Sequence, residues 1–308
     1  MSEGQWSIQS PQTLEIDGVA KLRLGTIGGR FDIVAHQEAV TRIEVSEIEG
    51  DPLEVRLHEG VLEIRHGVPE PRWGEAKWGE ATWAEAAKIA DPSQWLGRRN
   101  HWDSGNRVVL SIGLPASTPV TAGTVSGDGL ISGMTERTRL AAVSGSVMSD
   151  ATAGSLHAST VSGEAIIRNH DGALALNSVS GEITASGRFS SIKANTVTGN
   201  LSFDVLNVPE KLSTNSVSGN VLIRLPEDVG AALTVTTAAG KITVNDERIS
   251  VLGVSTRTFG APGAPVVPIR TVSISGDTAV LSSRRAAADD DGSRPGRPAD
   301  DGGAGVDE

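Results

Sequence analysis

The sequence predicts an all-β fold, a parallel β-helix or β-solenoid with about 18 residues per coil, and three observations carry that prediction. The first is a tripeptide, V-[ST]-G, that recurs with glycines at Gly127, Gly145, Gly163, Gly181, Gly199 and Gly219 and decays to Ala238-Ala239-Gly240. These glycines step by 18, 18, 18, 18, 20 and 21 residues, and so regular a period marks stacked coils. The second is that apolar or small residues return two and four places after each glycine, as in Ala165 with Ile167, Ile183 with Ala185 and Leu201 with Phe203. They return again at eleven and thirteen places, in Leu156 with Ala158, Leu174 with Leu176 and Ile192 with Ala194, so each coil supplies at least two short strands. The third is composition: 36 Gly, four Phe and no Tyr suit strands, tight turns and a thin aliphatic interior.

In chain order, residues 1–67 form a β-rich N-terminal section that begins or caps the solenoid. Apolar residues alternate with polar ones at Leu14 and Ile16, Leu22 and Leu24, Phe31 and Ile33, and Ile43 and Val45. Asp17-Gly18, Gly28-Gly29 and Gly50-Asp51-Pro52 punctuate them as turns. His58-Glu59-Gly60 reads as the turn of a hairpin joining 53–57 to 61–66.

Residues 68–105 break the pattern and read as an insertion, partly helical, holding Trp73, Trp78, Trp83, Trp95 and Trp102. Its Ala, Glu and Lys favour helix. Rings five residues apart turn by about 140° each, so the first three share no single stripe.

Residues 106–283 carry the repeats. Equivalent strands of successive coils should pair in parallel about 4.8 Å apart. Motif valines are then expected to stack as an interior column, with the Ser and Thr facing outward or bonding along the ladder. The glycines answer a corner that needs positive φ or close backbone approach. Gly276, two periods beyond Gly240, suggests a last coil. Residues 284–308, built of Ala, Asp, Gly, Pro and Arg without periodicity, read as a disordered acidic tail.

The absence of Cys excludes disulfides, thiolate metal sites and a thiol nucleophile. A net charge of −11 argues against nucleic acid as a partner. Glu3, Glu15 and Asp17 near the start do not resemble a secretory leader, and no apolar run is long enough for a transmembrane segment. The expected location is cytoplasmic, with a surface location only by an unrecognised route.

The repeats, following a β-rich start with Asp17-Gly18 and Gly28-Gly29, resemble the bacterial adhesin-like family of β-strand-repeat proteins that carry a domain of unknown function (4097). The similarity covers about Leu14 to Leu281, apart from the Trp-rich insertion. It implies a single-stranded, right-handed parallel β-helix and brings no catalytic residues to carry over.

Candidate sites are few, and no catalytic, cofactor or metal residue is assigned. Asp128, Glu164, Glu182, Asn200 and Asn220, each following a motif glycine, are expected to stack into a polar column of oxygen ligands for a divalent cation, but Ser146 and Lys241 interrupt it and a solvated turn is the favoured reading. The six histidines, His36, His58, His66, His101, His157 and His170, show no H-x-x-x-H pairing. The motif serines lack a G-x-S-x-G elbow. The five insertion tryptophans are the candidate interaction residues, and a local core beneath the insertion is the alternative. The expectation is a non-enzymatic scaffold binding a protein or cell-envelope component. A cytoplasmic polymer of stacked β-helices and a carbohydrate-active enzyme are the alternatives.

Overall fold

A computed structural model describes residues 3–67, 105–245 and 247–283, and side chains at 248–252 and 283 lie outside that description. The Trp-rich insertion, apart from its last residue, and the acidic tail fall outside the described residues. The described chain is all-β, with 22 strands and no helix.

Each repeat contributes one strand before its glycine corner and one after it, and two parallel ladders result. In the ladder before the corner, Leu140 lies beside Ala158, which lies beside Leu176, then Ala194 and Thr214. In the ladder after it, Val147 lies beside Ala165, Ile183, Leu201 and Val221 in turn. Partners from Val147 to Leu201 are 18 residues apart, so identical positions of the repeat share a column. The long strands Ala165–Ser178 and Ile183–Thr196 run through both ladders. Alternation sends Leu156, Leu174 and Ile192 inward from one ladder and Ala165, Ile183 and Leu201 inward from the other, into one continuous core.

The ends of the stack depart from a simple chain-order helix. Lys21–Thr26 and Gly29–His36 are inserted between Val61–His66 with Arg107–Pro115 on one side and the first repeat on the other. Beyond them the pairing turns antiparallel. Leu53–His58 forms the expected hairpin with Val61–His66, and Gly4–Ile8 covers it. Thr41–Glu49 and Gln12–Ile16 do the same on the other ladder.

At the far end Val266–Ser273 lies between Lys211–Ser216 and Gly230–Thr237, and Thr278–Ser283 lies between Val221–Pro226 and Ile242–Val244. The corner of Gly276 therefore stacks next to that of Gly219, ahead of Gly240, although sequence order places it last. Glu247–Phe259 explains the reversal. It folds back antiparallel on Gly230–Val244, occupies the outer edge, and leaves the next strands only the slot inside.

A second departure concerns the motif valines. Val125, Val143, Val161, Val179 and Val197 are half-buried at the rim, not an interior column. Inward positions at the corner belong to the residue before each valine and to the glycine, and Thr124, Thr160, Ser178 and Thr196 are buried there. A hydroxyl is placed inside because the turning backbone presents an amide that needs an acceptor.

Candidate functional site

The corner column can be built atom by atom. The amide of Gly127 donates to Thr124 Oγ1 at 2.9 Å, that of Gly163 to Thr160 Oγ1 at 2.9 Å and that of Gly199 to Thr196 Oγ1 at 2.9 Å. Ser178 and Ser216 serve Gly181 and Gly219 in the same way. The motif hydroxyls bond along the stack: Ser144 Oγ donates to the Val125 carbonyl, Ser162 Oγ to Val143 and Ser180 Oγ to Val161, each at 3.1 Å. None of the seven corner glycines has a positive φ. Close approach is their requirement, since a Cβ on Gly145, Gly163 or Gly181 would be driven into the carbonyl oxygen of the corner glycine one coil earlier. Positive φ is met instead on the return turns, at Gly154 (81°) and Gly133 (77°).

The polar column after the glycines is spent in the same manner. Asp128 Oδ1 accepts the Ser146 amide at 3.0 Å, Asn200 Oδ1 that of Asn220 at 3.1 Å, and Asn220 Oδ1 that of Asp277 at 3.0 Å. Each oxygen satisfies the backbone of the next coil. Glu164 and Glu182 occupy the same column and are exposed. Among the described residues no group of three or more His, Asp or Glu could hold a metal ion.

The histidines do not converge. His170 Nδ1 lies 3.0 Å from Thr152 Oγ1, which lies 2.9 Å from Ser149 Oγ, a buried polar string within the core. His66 Nε2 lies 2.9 Å from the Asp51 carbonyl. Burial lowers the pKa of both rings. His157 is pushed down to about 4, by burial first and then by the cations of Arg139 and Lys193. His36 lines a shallow depression with Glu38, Arg42, Glu44 and Ser111, and its Nδ1 is buried without a hydrogen-bond partner among the described residues. His58 Nδ1 sits 3.2 Å from Glu3 at the surface, and His101 falls outside the described residues.

Two features were not anticipated. Asn177, Asn195 and Asn215 form an outward amide ladder, with Asn195 Nδ2 donating to Asn177 Oδ1 at 2.9 Å and Asn215 Nδ2 to Asn195 Oδ1 at 2.8 Å. Their signal was an Asn four places before three successive motif glycines. The other is a separation of charge between the two faces. Counting back from each corner glycine, with Gly29 and Gly276 taking that place in the end coils, position −6 holds Arg23, Arg139, His157, Lys193 and Arg270, and position −8 holds Lys21, Arg137 and Lys211. All point outward from one ladder, while the other displays Asp128, Asp150, Glu164, Glu182 and Asp204 with Arg168 and Arg224.

The insertion tryptophans, Trp73 to Trp102, lie outside the described residues, but the root of the insertion does not. Thr26 pairs with His66 and Gly29 with Val108, so Gly67 and Asn106 stand where other coils place their glycine corner. Asn106 Oδ1 accepts the Asp51 amide at 2.6 Å and its Nδ2 donates to Asp51 Oδ2 at 3.0 Å, which clamps that root.

Comparison with known proteins supports this picture at the level of family. No curated protein matches the chain. Among solved structures, a "putative cell adhesion protein" from Clostridium sporogenes shares 13% identity over 89% of this chain and 100% of its own, at a TM-score of 0.28. A "putative lipid binding protein" from Parabacteroides distasonis shares 15% over 89% and 97%, at 0.46. Neither superposition is close enough to carry a ligand across. The profile described as Toastrack DUF4097 matches residues 99–281, more than half of the sequence, and the chain belongs to that family.

Proposed function

We propose that this chain is a non-enzymatic interaction scaffold: a right-handed, single-stranded parallel β-helix with coils of about 18 residues that presents surfaces to a protein or a cell-envelope component. The observation that carries the reading is where the polar groups of the repeat are spent. Motif hydroxyls bond to carbonyls of the neighbouring coil, and the oxygens of Asp128, Asn200 and Asn220 accept amides of the next one. These groups hold the stack together, which leaves the broad sheet faces and the segment rooted at Gly67 and Asn106 as the parts available for contact. Trp73, Trp78, Trp83, Trp95 and Trp102 are the anchors proposed on that segment.

The test is a pull-down with the full chain and with residues 70–103 removed. Loss of the partner on deletion supports the tryptophan anchors, and unchanged capture moves the contact to the sheet faces. Turnover of a polysaccharide panel would overturn the non-enzymatic reading. End-to-end polymerisation is disfavoured because both ends of the stack finish in antiparallel strands.

A further inference from the structure

We infer that the basic sheet face is a docking surface for an anionic lipid bilayer. This rests on the scaffold reading above and names one partner for it. The chain as a whole carries −11, yet Lys21, Arg137, Arg139, Lys193, Lys211 and Arg270 all project from one ladder. None of the six has a carboxylate partner among the described residues. Acids on this ladder have partners of their own: Glu63 pairs with Arg23 at 3.0 Å, Glu54 accepts a hydrogen bond from Ser7 at 3.0 Å, and Asp171 stands 4.0 Å from Arg188.

The cations form a two-dimensional array. The strand of Lys21 is followed along the ladder by those of Val120, Leu140, Ala158, Leu176, Ala194, Thr214 and finally Ile269. At about 4.8 Å per step the array extends roughly 34 Å along the stack. Its two columns stand two residues apart on each strand, about 7 Å.

The positions between the cations are small, among them Thr121, Gly123, Ala141, Ala173 and Ala175, so the long side chains stand above a low floor. Crowding is visible in the protonation equilibria: Lys21 is lowered by burial and then by Arg23, Arg139 and Arg137, and Arg139 by burial and then by Arg137. Like charges held together without counterions favour an anionic partner. An array with no outward Phe or Trp among the described residues suits a surface of phosphate headgroups better than a nucleic-acid strand, which gains from base stacking. The opposing acidic face does not cancel the attraction, because two stacked sheets and their side chains exceed a Debye length of about 8 Å.

The test is sedimentation of the full chain with phosphatidylcholine vesicles, with and without phosphatidylglycerol, at low and high salt. The expected result is binding only when phosphatidylglycerol is present, released by salt. Lys193→Ala with Lys211→Ala, both exposed positions, should weaken it about thirtyfold, from about 1 kcal/mol per charge near the surface. Glu164→Gln with Glu182→Gln on the opposite face should not weaken it, and thermal melts of both variants should match the parent. Binding to neutral vesicles, binding to soluble polyphosphate without vesicles, or full binding by the lysine variant would overturn the inference. Failure here, with a specific protein still captured in the pull-down, removes the bilayer and leaves the scaffold standing.

Discussion

His157 ties stability to pH with a magnitude that follows from its surroundings. Its ring sits between the Arg139 and Lys193 positions of the −6 column, and burial with those cations lowers its pKa from 6.5 to about 4. An unfolded chain takes up the proton near pH 6.5, whereas the folded chain resists it until about pH 4. The neutral ring's contribution is therefore intact above pH 6.5 and lost as pH falls from there towards 4. At about 1.4 kcal/mol per pH unit the full loss is about 3 kcal/mol, of which about 2 kcal/mol is gone by pH 5.

Urea denaturation followed by circular dichroism between pH 7 and 4 measures this directly. His157→Gln supplies the reference, because His66 and His170, lowered in the same direction by burial, remain in both proteins and cancel. The parent should lose about 2 kcal/mol more than the variant between pH 7 and 5. Equal losses in the two proteins would refute the assignment.

Other expectations concern the corners. Gly181→Ala drives a Cβ into the Gly163 carbonyl and should cost about 3 kcal/mol in urea denaturation, against little for Gly253→Ser, where nothing lies within 4 Å of the added atom although its φ of 95° adds some strain. Thr196→Val removes the acceptor of the Gly199 amide while keeping shape, and should cost about 1–3 kcal/mol by the same assay. Ser180→Ala removes an exposed bond to the Val161 carbonyl, which the Ser180 amide also reaches at 2.8 Å, and should cost below about 1 kcal/mol. Asn195→Leu breaks the amide ladder on both sides and should lower the melting temperature more than Ser213→Ala on the neighbouring strand, whose hydroxyl makes no hydrogen bond among the described residues.

Much of the fold was legible before any coordinates. A glycine every 18 residues leaves few alternatives to stacking, because only a backbone passing close over its own copy needs a missing side chain at one position in every turn. The hairpin at His58-Glu59-Gly60 was legible for a local reason, two alternating runs joined by a turn. The inward threonines were not, because T-V-S-G carries two hydroxyls in alternation with one valine, and pattern alone does not say which set faces the core. Nor was the charge separation, since Arg139, Lys193 and Arg270 lie far apart in the chain and line up only once the register is known.

Strand identity, the repeating corner and the columns of like residues were thus properties of the linear sequence, which encodes local turns and periodic spacing directly. The order of coils at the two ends, with Lys21–His36 drawn inward and Gly276 slipped beneath Gly240, was decided only in three dimensions. Which strand takes an edge depends on competition among distant segments for the same row of backbone donors and acceptors, and Glu247–Phe259, folded back on its neighbour, holds that row.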